Sequence, residues 1–251
     1  MHRLRRARGL TRAGATQYQQ HVGQNLDRPV SPRQLLQFVI DQPLAFAPGS
    51  EYEYSNSDNV AALMAAPATG QSYEEVLAEE VLGPLGLDGT SLPRGVRLPR
   101  PFLHGYQREA DGTPADVSEV IAAGYAWASG GMVSTPSDQN RFIRGYIAGR
   151  LFDRDVQRAQ FDWLPGARSD PPGPGGNAAG LAVFRYRTGC GTVYGHTGNF
   201  PGYTQFFGAS SDASRSVVVS ISRQATPASA PAIFSRLREV YRLAVCAAFA
   251  E

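Results

Sequence analysis

Near residue 181 the chain changes its hydrophobic period, and this limits the folds open to it. Upstream, apolar side chains recur every three to four positions, the spacing of helices that bury one face. Downstream they alternate, the spacing of half-buried strands. Segments 181–187, 191–197, 203–209 and 216–222 read as four short strands, and the polar stretch 210–215 reads as a hairpin turn. From Ser229 the helical period returns, with Ile233, Leu237, Val240 and Ala244 on one face. Helices first, antiparallel strands next and a closing helix last is an α+β order.

The helical half carries its own stop and start signals. Ser31 can cap a helix running to about Asp41, and Pro32 suits the first helical position. A second helix is expected from Asn59 to about Ala66, ended by Pro67. Ser72 and Glu75 have capping-box spacing before a third, which the run Gly83-Pro84-Leu85-Gly86 should stop. Residues 88–118 read as a long surface connection and 165–180 as a Pro/Gly loop. Between them Thr135-Pro136-Ser137-Asp138 opens a helix reaching about Gly149. The expected division is therefore a tail or misplaced start at 1–25 and one domain at 26–251. Its helical part is about 26–180, and its sheet and terminal helix about 181–251.

Composition excludes several function classes. All 24 basic side chains are arginine, so a Walker-type phosphate loop, which needs lysine, is ruled out. Cys190 and Cys246 fit no zinc spacing, and His2, His21, His104 and His196 are scattered, so no metal site is expected. Arg3, Arg5, Arg6, Arg8 and Arg12 crowd the start, but no aromatic or Gly-rich partner motif accompanies them, and nucleic acid is not an expected partner. No apolar run approaches the roughly 18–20 residues of a membrane span. The N-terminus lacks the apolar core of a signal peptide. Nothing in the sequence speaks to oligomeric state.

Two short stretches could carry chemistry. Residues 48–56 read PGSEYEYSN, placing Tyr54 and Asn56 between a Pro-Gly turn and a helix start. A phenol there can move a proton, and an amide can donate to a substrate carbonyl. Taken alone, a buried tyrosine and a capping asparagine explain the triplet better. Residues 194–202 read YGHTGNFPG, with His196, Thr197 and Gly198 on an expected strand followed by Asn199. A strand edge can offer N–H groups to an oxyanion, and glycine permits close approach. Alone, a strand histidine is more often structural.

Order and spacing change that balance. FAPGSEYEYSN (46–56), TGQSY (69–73), PLGLDGT (84–90), GGMVSTPSD (130–138) and YGHTGNFPGY (194–203) together resemble the serine β-lactamase and D-alanyl-D-alanine carboxypeptidase superfamily, in its class C β-lactamase-like branch. The likeness runs from about residue 31 to the end. It implies a β-lactamase/transpeptidase-like fold, no cofactor, a small peptide or β-lactam substrate, and a secreted or cell-envelope location for the family. It further implies proton transfer by Tyr54, substrate orientation by Asn56, and carboxylate binding along His196 and Thr197. The N–H of Asn199, after Gly198, would be half of an oxyanion hole, with Trp127 and Arg185 lining the pocket. A disulfide between Cys190 and Cys246 is implied as well; two buried free thiols are the alternative.

One family element is missing. The nucleophile sits in Ser-x-x-Lys, and a chain without lysine cannot contain it. The resemblance thus implies an incomplete, N-terminally truncated fold, inactive as written, whose parent is a D,D-carboxypeptidase-like acyl-enzyme hydrolase. A non-catalytic cell-wall peptide-binding protein and a degraded gene product are the rival readings. β-Lactamases and esterases share the same motifs.

Overall fold

The computed structural model describes residues 24–26, 31–37, 46–47, 52, 54, 62–165, 167 and 169–250. Helix α1, Pro32–Gln37, begins as its chemistry dictates. Ser31 Oγ accepts from the Gln34 N–H, and Gln34 Oε1 accepts from the Ser31 N–H. Two donors that no helical carbonyl can reach are satisfied by this exchange. The expected stretch from 38 to 41 lies outside the described residues.

Helix α2, Ala65–Thr69, corrects one expectation, because it passes through Pro67. Pro67 falls in the first turn, where its missing N–H has no carbonyl to bond. Helix α3, Tyr73–Leu77, carries the capping box of Ser72 and Glu75. It continues through a π-turn, Ala78–Leu82, into α4, Gly83–Leu85. Gly83 and Pro84 therefore do not stop the chain; Gly86 does, at φ 61°, a left-handed cap that costs glycine little.

Backbone contacts divide the chain into two units, Met1–Glu80 with Ser91–Arg100 and Glu119–Val133, and Val81–Thr90 with Pro101–Ser118 and Ser134–Glu251. In the first, the bridge Ser91↔Val133 ties two of the three segments.

The second unit holds the sheet. The stretch read as a surface connection forms a hairpin, β1 Tyr106–Arg108 with β2 Pro114–Asp116. Helices α5, Pro136–Ile147, and α6, Arg154–Gln160, follow, capped by Thr135 and Asp153. Then comes a six-stranded antiparallel meander: β3 Leu164–Pro165, β4 Gly176–Ala179, β5 Phe184–Thr188, β6 Gly191–Phe200, β7 Tyr203–Ala209 and β8 Ser216–Ile221. The chain closes with α7, Pro231–Phe234, and α8, Leu237–Phe249.

Successive residues of β7 point to opposite faces. Phe207 meets Phe142 of α5 at 6.2 Å between ring centres, whereas Phe206 meets Tyr241 of α8 at 4.9 Å. Helix α5 buries Ile143, Tyr146 and Ile147 with Val183 and Ala209 on its side. Helix α8 buries Leu237, Tyr241 and Val245. That stripe differs from the expected one, since Val240 is 41% exposed. Cys190, between β5 and β6, is disulfide-bonded to Cys246 of α8 with Cα atoms 5.2 Å apart.

Candidate active site

Strand β6 has an asymmetric register. Its pairing with β5 ends at Phe184↔Gly195, while its pairing with β7 continues to Phe200↔Tyr203. Residues 196–200 therefore have β7 on one side and, among the described residues, no strand on the other. Backbone groups along such an edge can bond an extended ligand or an oxyanion. A Cβ built on Gly198 would meet no atom within 4 Å, so the face of the strand is open there.

The side chains around this edge are held from behind. Thr197 is 3% exposed, and its hydroxyl donates to the Pro171 carbonyl at 2.7 Å. That proton is committed to backbone, so what Thr197 offers a carboxylate here is its main chain. His196 lies over Phe184, ring centres 5.2 Å apart, with Nδ1 2.5 Å from the Thr197 carbonyl. A carbonyl only accepts, so Nδ1 carries the proton.

Asn199 takes part in a network the sequence did not reveal. Its Nδ2 donates to the Ala225 carbonyl at 3.0 Å, and its Oδ1 accepts from Thr204 Oγ1 at 2.5 Å. Thr204 Oγ1 in turn accepts from the Ala225 N–H at 2.8 Å. Thr204 and Ala225 are wholly buried. The only signal was a polar residue, Thr204, at the inward position shared with Phe206.

At the foot of the edge, the β6–β7 turn rests on the segment leading into β1. Tyr203 Oη donates to the Leu103 carbonyl at 2.8 Å. Next to it His104 Nδ1 lies 2.5 Å from Asp116 Oδ2. The Ser118 hydroxyl and N–H hold the Asp116 carboxyl at about 2, with His104 adding to the effect.

The other expected site residues, where described, are each placed within their own unit. Tyr54 lies in the first unit, at its surface. Asn56 is outside the described residues. Trp127, also in the first unit, is buried, stacks edge-on to Tyr73 at 4.8 Å and donates to Glu74 Oε1 at 3.2 Å. Its φ of 42° is unusual for a bulky residue. The turn after it needs glycine, because a Cβ on Gly131 would lie 2.6 Å from the Ala123 carbonyl. Arg185 sits over the Trp163 ring at 5.0 Å, within the cluster of Phe161, Trp163 and Tyr194. Among the described residues no group of three or more His, Cys, Asp or Glu could hold a metal, and no helix is long and apolar enough to cross a membrane.

Known proteins are similar to this chain. The Beta-lactamase family model matches residues 7–242. The D-alanyl-D-alanine-carboxypeptidase/endopeptidase AmpH of Escherichia coli (strain K12) is 30% identical over 141 residues, 52% of this chain and 34% of AmpH. This chain thus matches about a third of that protein's length. Among solved structures, a D-stereospecific amidohydrolase from Streptomyces sp. aligns with TM-score 0.75 and 22% identity, over 89% of this chain and 66% of its own. The D-amino acid amidase of Ochrobactrum anthropi SV3 complexed with L-phenylalanine aligns with TM-score 0.76 and 21% identity, over 98% and 68%. At these identities the structural likeness speaks to fold.

Proposed function

This chain belongs to the Beta-lactamase family, and from that premise we propose that its residues hold a D-alanyl-D-alanine-type amide for serine acyl transfer. The reading rests on the edge of β6 at residues 196–200, which β5 leaves uncovered within the GHTGN motif. The substrate main chain lies along that edge. The Asn199 N–H donates to the scissile carbonyl oxygen and stabilises the charge that develops there. The Asn199 side chain takes no part, being tied to Ala225 and Thr204. Tyr54 supplies the proton-transferring phenol and Asn56 orients the substrate amide, roles carried by the motif resemblance. A Ser-x-x-Lys is not among these 251 residues, so their share of the chemistry is positioning, charge stabilisation and the phenol's part in proton transfer. Likeness to AmpH supports a peptide ending in D-alanyl-D-alanine as the substrate class.

The test is amide NMR on the ¹⁵N-labelled chain, titrated with an acylated D-alanyl-D-alanine peptide. Shifts should concentrate at residues 196–200, and the L-alanyl-L-alanine peptide should leave them nearly unmoved. Gly198→Val, which grows into the open space, should weaken the effect. Equal response to both peptides, or none at β6, would overturn the reading.

A further inference from the structure

A groove of about 610 Å³ shares no residue with the β6 edge. Gly145 of helix α5 and Ala148, the residue that follows the helix, line part of it. Its lining includes three arginines, Arg141, Arg144 and Arg150, and one carboxylate, Asp212, in the β7–β8 turn.

Each guanidinium is held by a backbone carbonyl. Arg141 donates to the Gly86 carbonyl, Arg144 Nε to that of Ala213 at 2.7 Å, and Arg150 Nη2 to that of Pro84 at 3.4 Å. Arginine carries five N–H donors, so one such bond fixes the fork and leaves others available. Arg141 also pairs with Asp138 at 3.2 Å. Among the described residues, Arg144 and Arg150 have no carboxylate within 4.0 Å. Asp212 forms no ion pair with them among the described residues: Ser210 Oγ and the Ser214 hydroxyl and N–H donate to its oxygens. The same bonds hold its carboxyl at about 2, so it stays charged but turned into its own loop.

We infer that this groove binds a linear, non-aromatic chain of two or more phosphate groups. The forks match phosphate oxygens bidentately. Arg141 and Arg144 lie about one turn apart on helix α5, and Arg150 follows its end, just past the left-handed Gly149, so three forks line the groove for several anionic groups. No aromatic ring lines the groove, so no base would stack there.

The probe is inorganic tripolyphosphate, titrated calorimetrically into the full chain at low salt. Binding should exceed that of inorganic phosphate about tenfold, the effect of one more charge-assisted contact. The double variant Arg144→Gln/Arg150→Gln should weaken it by at least about tenfold. Replacing Arg236 and Arg238 with Gln should change nothing. If loss of the Arg144–Ala213 bond unfolds the chain, Arg150→Gln alone must still weaken binding at least about threefold. The inference fails if tripolyphosphate does not bind or binds no tighter than phosphate. It also fails if affinity survives the groove variants, or if it is lost on replacing Arg3, Arg5, Arg6, Arg8 and Arg12 instead.

Discussion

Thr204 and Asn199 face each other across the β6–β7 hairpin, and one 2.5 Å hydrogen bond between them fixes the strand that offers the open edge. Both also bond the same residue, Ala225, so the segment after β8 is stitched to the end of β6. Thr204→Val keeps the shape but removes the Asn199 bond and leaves the wholly buried Ala225 N–H without its partner. An unsatisfied buried polar group costs about 1–3 kcal/mol. Urea denaturation should show a loss of that size, and Thr204→Ser should restore most of it. Peptide-induced shifts at Asn199 should weaken in the Val variant beyond what unfolding explains. A Val variant as stable as the parent would show the network to be incidental.

Asp116 provides a pH-dependent counterpart. Its carboxyl is lowered from 3.8 to about 2, first by the Ser118 hydroxyl, then by the Ser118 N–H and His104. A carboxyl lowered in the folded state adds stability that is present above its unfolded value and disappears as pH falls through the folded one. The window therefore lies between about 3.8 and about 2. Ser118→Ala should move the Asp116 titration, followed by carboxyl ¹³C NMR, upward toward 3.8 and flatten the acid limb of stability in that window. An unchanged titration would transfer the effect to the remaining partners.

What could be read from the sequence was what local chemistry decides. Ser31 with Gln34 and Ser72 with Glu75 cap helices through neighbours three residues away. β7 occupies the expected 203–209, because alternation alone specifies it. Non-local pairing was invisible. β4, Gly176–Ala179, has no β-branched or aromatic residue and lies in a segment read as a loop; it is a strand because β5 pairs with it. On α8 the spacings of three and four residues from Leu237 both looked apolar. Packing on β8 and β6 chose Tyr241 and Val245 over Val240 and Ala244. Asn199 and Ala225 are 26 residues apart, and no motif links them. The GHTGN stretch was recognisable by pattern, yet what makes it a candidate site is the early end of β5.

The disulfide joins the β5–β6 turn to α8, 56 residues away in sequence. Closing a loop of that length restricts the unfolded chain by about 4 kcal/mol in the entropy model, an upper figure for most proteins. Cys190→Ser/Cys246→Ser should lower stability by up to that amount. Hydrogen exchange should accelerate in α8 and at the Gly191 end of β6 before it does at β7. Two free thiols by mass spectrometry after oxidising expression, or an unchanged midpoint in the double variant, would contradict this.

Covalent chemistry separates substrate holding from catalysis. A serine hydroxyl attacks a β-lactam carbonyl only when a base removes its proton. The motif resemblance has the lysine of Ser-x-x-Lys serve with Tyr54 in that step, and here that lysine is absent, while arginine stays protonated and cannot replace it. Incubation of the chain with a penicillin should therefore leave its intact mass unchanged. Reversible binding should survive, seen as displacement of the D-alanyl-D-alanine peptide from residues 196–200. An adduct on any serine would overturn the first expectation and direct attention to a different base, with His196 the first to replace. No adduct and no displacement would remove the β6 edge as a substrate site, while leaving the arginine groove to be judged on tripolyphosphate alone.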